Sequence, residues 1–204
     1  MSLSRVVGLF FAKNLQQRFG HASQNYAPSP ENSAGRCSFA TTSVDVNGPT
    51  ICEVLDPAGA LSLLERIGPD VLRSDAKPDR AFERIAKSRA PIGRLIMGQS
   101  VMAGIGNIYR TEILWRQGVH PETPGNRLDR SIFDRIWNDA ASLLALGVER
   151  NAIIIDGAEP SKSRYRERVN IFGKQTCPKC TGAVRRLDVD GRRAFVCDVC
   201  QPSV

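Results

Sequence analysis

Four cysteines constrain this chain more than any other residues. Cys177-Pro178-Lys179-Cys180 and Cys197-Asp198-Val199-Cys200 form two C-x2-C turns with sixteen residues between them. Each turn brings two sulfurs toward one point, and four thiolates complete the tetrahedral shell of a zinc ion. Two disulfides or a redox pair are the alternative use of the same spacing. Between the turns, residues 183–189 and 192–196 read as strands around Asp190-Gly191, a type I′ hairpin signal. A zinc ion on Cys177, Cys180, Cys197 and Cys200 has no open coordination position, so its role is structural. A module this small needs such a staple to fold.

The stretch from Arg89 to Trp115 is the second constraint. It reads as helix, tight glycine turn, helix. Pro91 stands where a first helical turn tolerates proline, and Ile92, Leu95, Ile96 and Met102 recur at helical spacing. Gly104 and Gly106 permit backbone angles closed to other residues. Asn107 is expected at the N-cap of the next helix, with Ile108 and Trp115 on its buried face. Backbone N–H groups and the positive end of the helix dipole then point outward, which makes the turn an anion site. Taken alone, Gly-x-Gly-Asn fits an ordinary helical hairpin better, because the short motif is weak.

Charge bears on the partner. A formal net charge of +7 and an isoelectric point of about 9.4 suit a polyanion, nucleic acid before membrane. A merely basic soluble protein would carry the same charge. No apolar run approaches the roughly 18 residues of a membrane span. Residues 6–12 faintly imitate a signal peptide, but the apolar part is short and no small-x-small cleavage site precedes Lys13. The expectation is an intracellular protein, in keeping with cysteines in metal spacing.

Along the chain, residues 1–55 read as the remnant of an N-terminal β-domain. Residues 5–12 are strand-like, 21–36 read as a loop, and 37–46 and 50–55 read as strands around Asn47-Gly48. Cys37 and Cys52 are ordinary strand residues. Residues 56–157 read as one compact α-bundle. Asp56-Pro57 opens its first helix, Leu61, Leu64 and Ile67 form the apolar stripe, and Gly68-Pro69 stops it. A second helix runs over 78–87 with Ala81, Phe82 and Ile85 inward. Asp129 or Ser131 caps a later helix, expected to end near Gly147. The apolar stripes are core. Residues 158–168 are a basic linker, either a solvated connection or a track for phosphates, and 169–204 are the zinc-finger domain. The fold class is thus mostly α: a helical bundle followed by a four-cysteine zinc-ribbon hairpin and preceded by a β-sandwich remnant.

The segment from Met97 to Glu112, centred on Gly104-Ile105-Gly106-Asn107-Ile108-Tyr109, resembles the helix–two-turn–helix signature of the formamidopyrimidine-DNA glycosylase / endonuclease VIII family. The endonuclease VIII-like branch is nearer. The cysteine hairpin follows in the family's order, and Gly68-Pro69-Asp70-Val71-Leu72 and Gly118-Val119-His120-Pro121 are also similar. The resemblance covers residues 48–201. It implies damaged-DNA binding in base excision repair, with DNA N-glycosylase and AP lyase activity on double-stranded DNA carrying a damaged base or an abasic site. It implies one structural zinc, a monomer, no membrane, and a bacterial, nucleoid-associated cytoplasmic location. Asn107 and Gly106 would hold a DNA phosphate beside the lesion. Arg192, five residues before Cys197, would contact flanking phosphates and assist the second elimination. On its own, Arg192 reads as a solvated hairpin arginine.

The family's chemistry uses the amine of an N-terminal proline with an adjacent glutamate. Met1-Ser2-Leu3-Ser4 carries no such pair. The chain as given is therefore expected to be inactive unless its true start lies upstream. A non-catalytic zinc-dependent DNA-binding module is the alternative, and an unrelated zinc ribbon for RNA or protein is a third reading.

Overall fold

The computed structural model describes residues 56–155 and 167–203 in full, and three strands within residues 20–47 by their backbone. The chain divides into two compact units, Met1–Glu65 and Arg66–Val204.

In the first unit, β1 (Gly20–His21), β2 (Ser33–Ser38) and β3 (Thr42–Asn47) form an antiparallel sheet in the order β1-β3-β2. Cys37 pairs with Val44 and Arg36 with Asp45, so the β2–β3 connection lies between Ser38 and Thr42. Residues 21 and 33–36 are strand where a loop was expected, and the single strand expected over 37–46 is divided between β2 and β3. The hairpin expected around Asn47-Gly48 needs residues 50–55 and lies outside the described residues. The expected strands over 5–12 and 50–55, Cys52 among them, lie outside the described residues.

Helix α1 (Pro57–Arg66) starts as its sequence dictates. The Asp56 carboxylate accepts the Gly59 N–H at 2.7 Å, and the Asp56 carbonyl accepts that of Ala60. Its apolar stripe is not core, however: Leu61 and Leu64 are 62% and 51% exposed. A stripe shows that a face can be buried, not that a neighbour is at hand to bury it.

The second unit holds α2 (Pro78–Ala86), α3 (Ile92–Leu95), α4 (Asn107–Arg116), a 3-10 turn (Gly125–Arg127) and α5 (Arg130–Glu149). Ile85, Ile92, Ile96, Met102, Ile113, Phe133 and Ile136 are wholly buried at its centre. Phe133 stacks obliquely on Phe82 and Trp137, with ring centroids 5.3 and 6.0 Å away. The helix expected to run on to Met102 stops at Leu95. Beyond it the backbone bonds to the segment after α1 instead: Gly68 N–H to the Gln99 carbonyl at 2.8 Å, and Ala103 N–H to the Pro69 carbonyl at 3.0 Å. A Cβ on Gly68 would stand 2.5 Å from the Val101 carbonyl group, so this approach requires glycine.

Helix α5 has Asp129 at its N-cap and runs through Gly147 to Glu149. Gly147 is not a stop. A Cβ there would fall 2.3 Å from the Tyr109 hydroxyl, so the glycine admits α4 against α5. The chain ends in the hairpin β4 (Arg185–Val189) and β5 (Arg192–Val196), paired Val189 to Arg192. Asp190 and Gly191 both have positive φ, 56° and 72°, as a type I′ turn demands.

Candidate nucleic-acid interface and metal centre

The glycine turn is shaped by one glycine more than the other. Gly104 has φ of +92°, and its N–H bonds to the Gln99 side chain at 3.1 Å. Gly106 is extended, occupies the N-cap of α4 and faces open space. Asn107 is the first helical residue and not the cap; no side chain caps this helix. The N–H groups of the first turn have no intrahelical acceptor, so the turn presents donors and a partial positive charge.

Asn107 instead faces the β-hairpin. Its amide Nδ2 donates to the Arg193 carbonyl at 3.0 Å, and its Oδ1 accepts from Arg110 Nη2. Arg110 Nη2 also donates to the Arg193 carbonyl at 3.1 Å. Arg192, half-buried at the head of β5, therefore sits one residue from the carbonyl that ties hairpin to helix. Gly106 and Asn107 at the start of α4 thus adjoin the strand headed by Arg192.

Three further α4 residues carry this junction, and sequence reasoning missed their roles. Arg110 is completely buried. Burial, then the nearby Arg192 charge, brings its guanidinium down to about 10, still charged at neutral pH. Glu112, also completely buried, accepts the N–H groups of Asn170, Ile171 and Phe172 at 3.0, 2.9 and 2.7 Å. Trp115 was read only as core. Its indole N–H points at Cys177 Sγ, 3.4 Å away, and Lys179 lies over its ring at 4.3 Å. The signal was present in α4: two opposite charges stand among Tyr109, Ile113, Leu114 and Trp115 in a helix with almost no solvated face.

The four cysteines converge. Their sulfurs all lie within 4.8 Å of one another, with Cys180–Cys197 at 3.4 Å and Cys177–Cys200 at 3.7 Å. No pair is at bonding distance, which sets the disulfide reading aside. Four sulfurs about 2.3 Å from a central ion would be about 3.8 Å apart, so the cluster fits a tetrahedral metal. Burial disfavours ionisation of the Cys177 thiol. Backbone N–H groups of residues 180 and 179 and the Trp115 indole outweigh it and bring that thiol to about 6. Burial and the neighbouring thiols push Cys200 up to about 12. The Cys177 thiolate thus forms readily, whereas that of Cys200 needs a cation. Outside the cluster, Gln201 accepts the Cys197 N–H and donates to the Val119 carbonyl at 2.7 Å, and Arg185 pairs with Asp198 at 2.9 Å.

Residues 67–158 match the family model described as the formamidopyrimidine-DNA glycosylase H2TH domain. Endonuclease 8 1 of Mycobacterium tuberculosis is 42% identical over 164 residues, 77% of this chain and 61% of the relative. The chain belongs to the formamidopyrimidine-DNA glycosylase / endonuclease VIII family. A second member, the formamidopyrimidine-DNA glycosylase of Chloroflexus aggregans, is 33% identical over 72% of this chain and 56% of its own length. The chain thus spans about three fifths of the curated family members it matches. The fold agrees with that of Lactococcus lactis Fpg in a complex with abasic-site DNA, with a TM-score of 0.70 and 24% identity. That match covers 92% of this chain and 71% of the other. Among the described residues, no helix is long and apolar enough to cross a membrane.

Proposed function

We propose that this chain grips double-stranded DNA at a damaged base or an abasic site, as part of base excision repair in the bacterial cytoplasm. The observation that carries the reading is the shared Arg193 carbonyl, which joins Asn107 and Arg110 of α4 to the strand headed by Arg192. Helix N-terminus and hairpin therefore adjoin, and each carries donors for a phosphate. Asn107 supplies an amide N–H, Gly106 lets the backbone approach closely, and Arg192 supplies a guanidinium suited to a phosphodiester. The Mycobacterium tuberculosis and Chloroflexus aggregans relatives named above support the same reading.

We infer that the metal of the four-cysteine cluster is a single zinc ion. When bound, it cross-links the two ends of the hairpin and takes no part in bond making. The helical domain 56–157 and the zinc finger 169–204 are the two halves of the grip, with 158–168 as linker. In family chemistry, Arg192 would steady the phosphates flanking the lesion during the second elimination. The described residues supply the grip of this reading.

Gel-shift titration on a duplex with one abasic site tests the grip. Binding should fall steeply with salt, and Asn107→Ala and Arg192→Ala should each weaken it. Arg192→Ala should also lower the salt slope by about one. Unchanged affinity in both variants would refute the assignment. Borohydride trapping on the same duplex separates the two family readings: a covalent adduct would mean that lyase chemistry is present, and binding without an adduct that it is not.

A further inference from the structure

Arg110 is a puzzle that the phosphate grip alone does not solve. Its side chain is wholly removed from water, and among the described residues no carboxylate bonds to it. Its partners are neutral oxygens: the Asn107 amide, the Arg193 carbonyl at 3.1 Å, and the Gly93 and Val189 carbonyls at 3.4 and 3.5 Å. The last two are long for hydrogen bonds. Its Nε is buried without a partner. Of the surrounding charges, Arg192 repels it and Asp188 attracts it. A buried cation so placed costs stability, and an apolar residue of the same length would avoid the cost. A costly buried charge beside an anion site indicates that its counter-charge arrives with the ligand.

The bond to Asn107 gives that charge an effect. With Oδ1 held by a donor, the Asn107 amide cannot flip, so its Nδ2 is fixed toward the hairpin. One of the two Nδ2 hydrogens meets the Arg193 carbonyl, and the other is left for an incoming acceptor.

We propose that Arg110 is a positioning residue of the phosphate grip, locking the Asn107 amide donor-outward and holding a buried positive charge that a bound phosphodiester balances. This rests on the reading that Asn107 and Arg192 hold a DNA phosphate. The ligand group is one backbone phosphate with its negative charge, contacted through Asn107 and held by the field of Arg110.

The test uses the full chain, its Arg110→Met and Arg110→Lys variants, and abasic duplexes in which single phosphates flanking the lesion are replaced by neutral methylphosphonates. The wild type should show one position where the replacement weakens binding about tenfold or more. Arg110→Met should melt no lower than the wild type, bind the unmodified duplex about tenfold more weakly, and lose its sensitivity at that position. Arg110→Lys, which keeps the charge, should keep that sensitivity. If Arg110→Met melts well below the wild type or fails to fold, Arg110 is a structural clasp and the proposal is overturned. It is equally overturned if Arg110→Met retains full sensitivity at the same phosphate, or if Arg110→Lys loses it. A wild type that neither binds the abasic duplex nor senses any methylphosphonate refutes the DNA grip itself, and this inference falls with it.

Discussion

In the helical bundle, Ile85, Ile92, Ile96, Met102, Ile113, Phe133 and Ile136 exclude water with little polar help. The hairpin module has a far thinner apolar interior. Its cluster holds Ile171, Cys177 and Cys197, and the fourth buried member, Trp115, is lent by α4. The module is instead held by directed contacts: Glu112 on three consecutive N–H groups, Trp115 on a sulfur, and Gln201 between the Cys197 N–H and the Val119 carbonyl. Apolar burial is tolerant of detail, whereas polar attachment in a dry site is not. The bundle should therefore survive single losses that release the hairpin.

The largest test removes the metal. Chelation, or Cys177→Ala, should unfold residues from about 170 onward and abolish DNA binding, while the bundle keeps its helical circular dichroism. Folding free energy in such modules comes from metal binding. A spectrum unchanged after chelation, with hairpin amides still protected from exchange, would show that the hairpin stands without metal. The converse test cuts the bundle's centre. Phe133 is wholly buried and packs on Phe82 and Trp137, so Phe133→Ala should cost about 3–5 kcal/mol in denaturant unfolding. Metal stoichiometry should be unchanged in the molecules that remain folded. Loss of metal from that folded fraction would mean that the two regions are one cooperative unit.

What could be read from the sequence follows the same division. The bundle's inward residues Ala81, Ile85, Phe133 and Ile136 were legible because burial imposes a helical period. The four cysteines and the Asp190-Gly191 turn were legible because metal and turn geometry fix both residue type and spacing. The extent of the helix after Pro91 was not, since the backbone beyond Leu95 is claimed by Gly68 and Pro69, distant in sequence. The helix end near Gly147 was legible, but only the Tyr109 hydroxyl shows that this glycine is also a gap for a neighbour. Asn107 was read as the cap of α4, and its partner on the hairpin lies more than eighty residues away in the chain. Arg110 and Glu112 were visible as letters, and their roles belong to tertiary contacts that no periodicity encodes.

Glu112→Gln sharpens the comparison at its hinge. The substitution keeps the volume and replaces one acceptor oxygen with a donor facing the Asn170 N–H. One buried N–H then has no acceptor, a loss of about 1–3 kcal/mol. The cost should appear as faster amide exchange at residues 170–172 and through the hairpin, with protection in α5 unchanged. A uniform loss of protection would assign Glu112 to the bundle core and erase the distinction drawn above.

The smallest effect is expected at Trp115. Trp115→Phe keeps an aromatic ring in the cluster but removes the one indole N–H directed at Cys177 Sγ. That bond favours the thiolate and orients the sulfur, and loss of such outer contacts weakens metal sites by about 10- to 100-fold. The variant should fold normally in excess zinc and surrender its metal faster to a colorimetric chelator. With cobalt in place of zinc, the sulfur-to-metal charge-transfer band should shift, because the hydrogen bond withdraws electron density from that sulfur. An unaltered band with faster release would mean that Trp115 only packs, and that α4 stabilises the metal through bulk. An altered band would make the indole a chemical link between the bundle and the metal, so that the helix carrying Asn107 also tunes the ion that holds Arg192 in place.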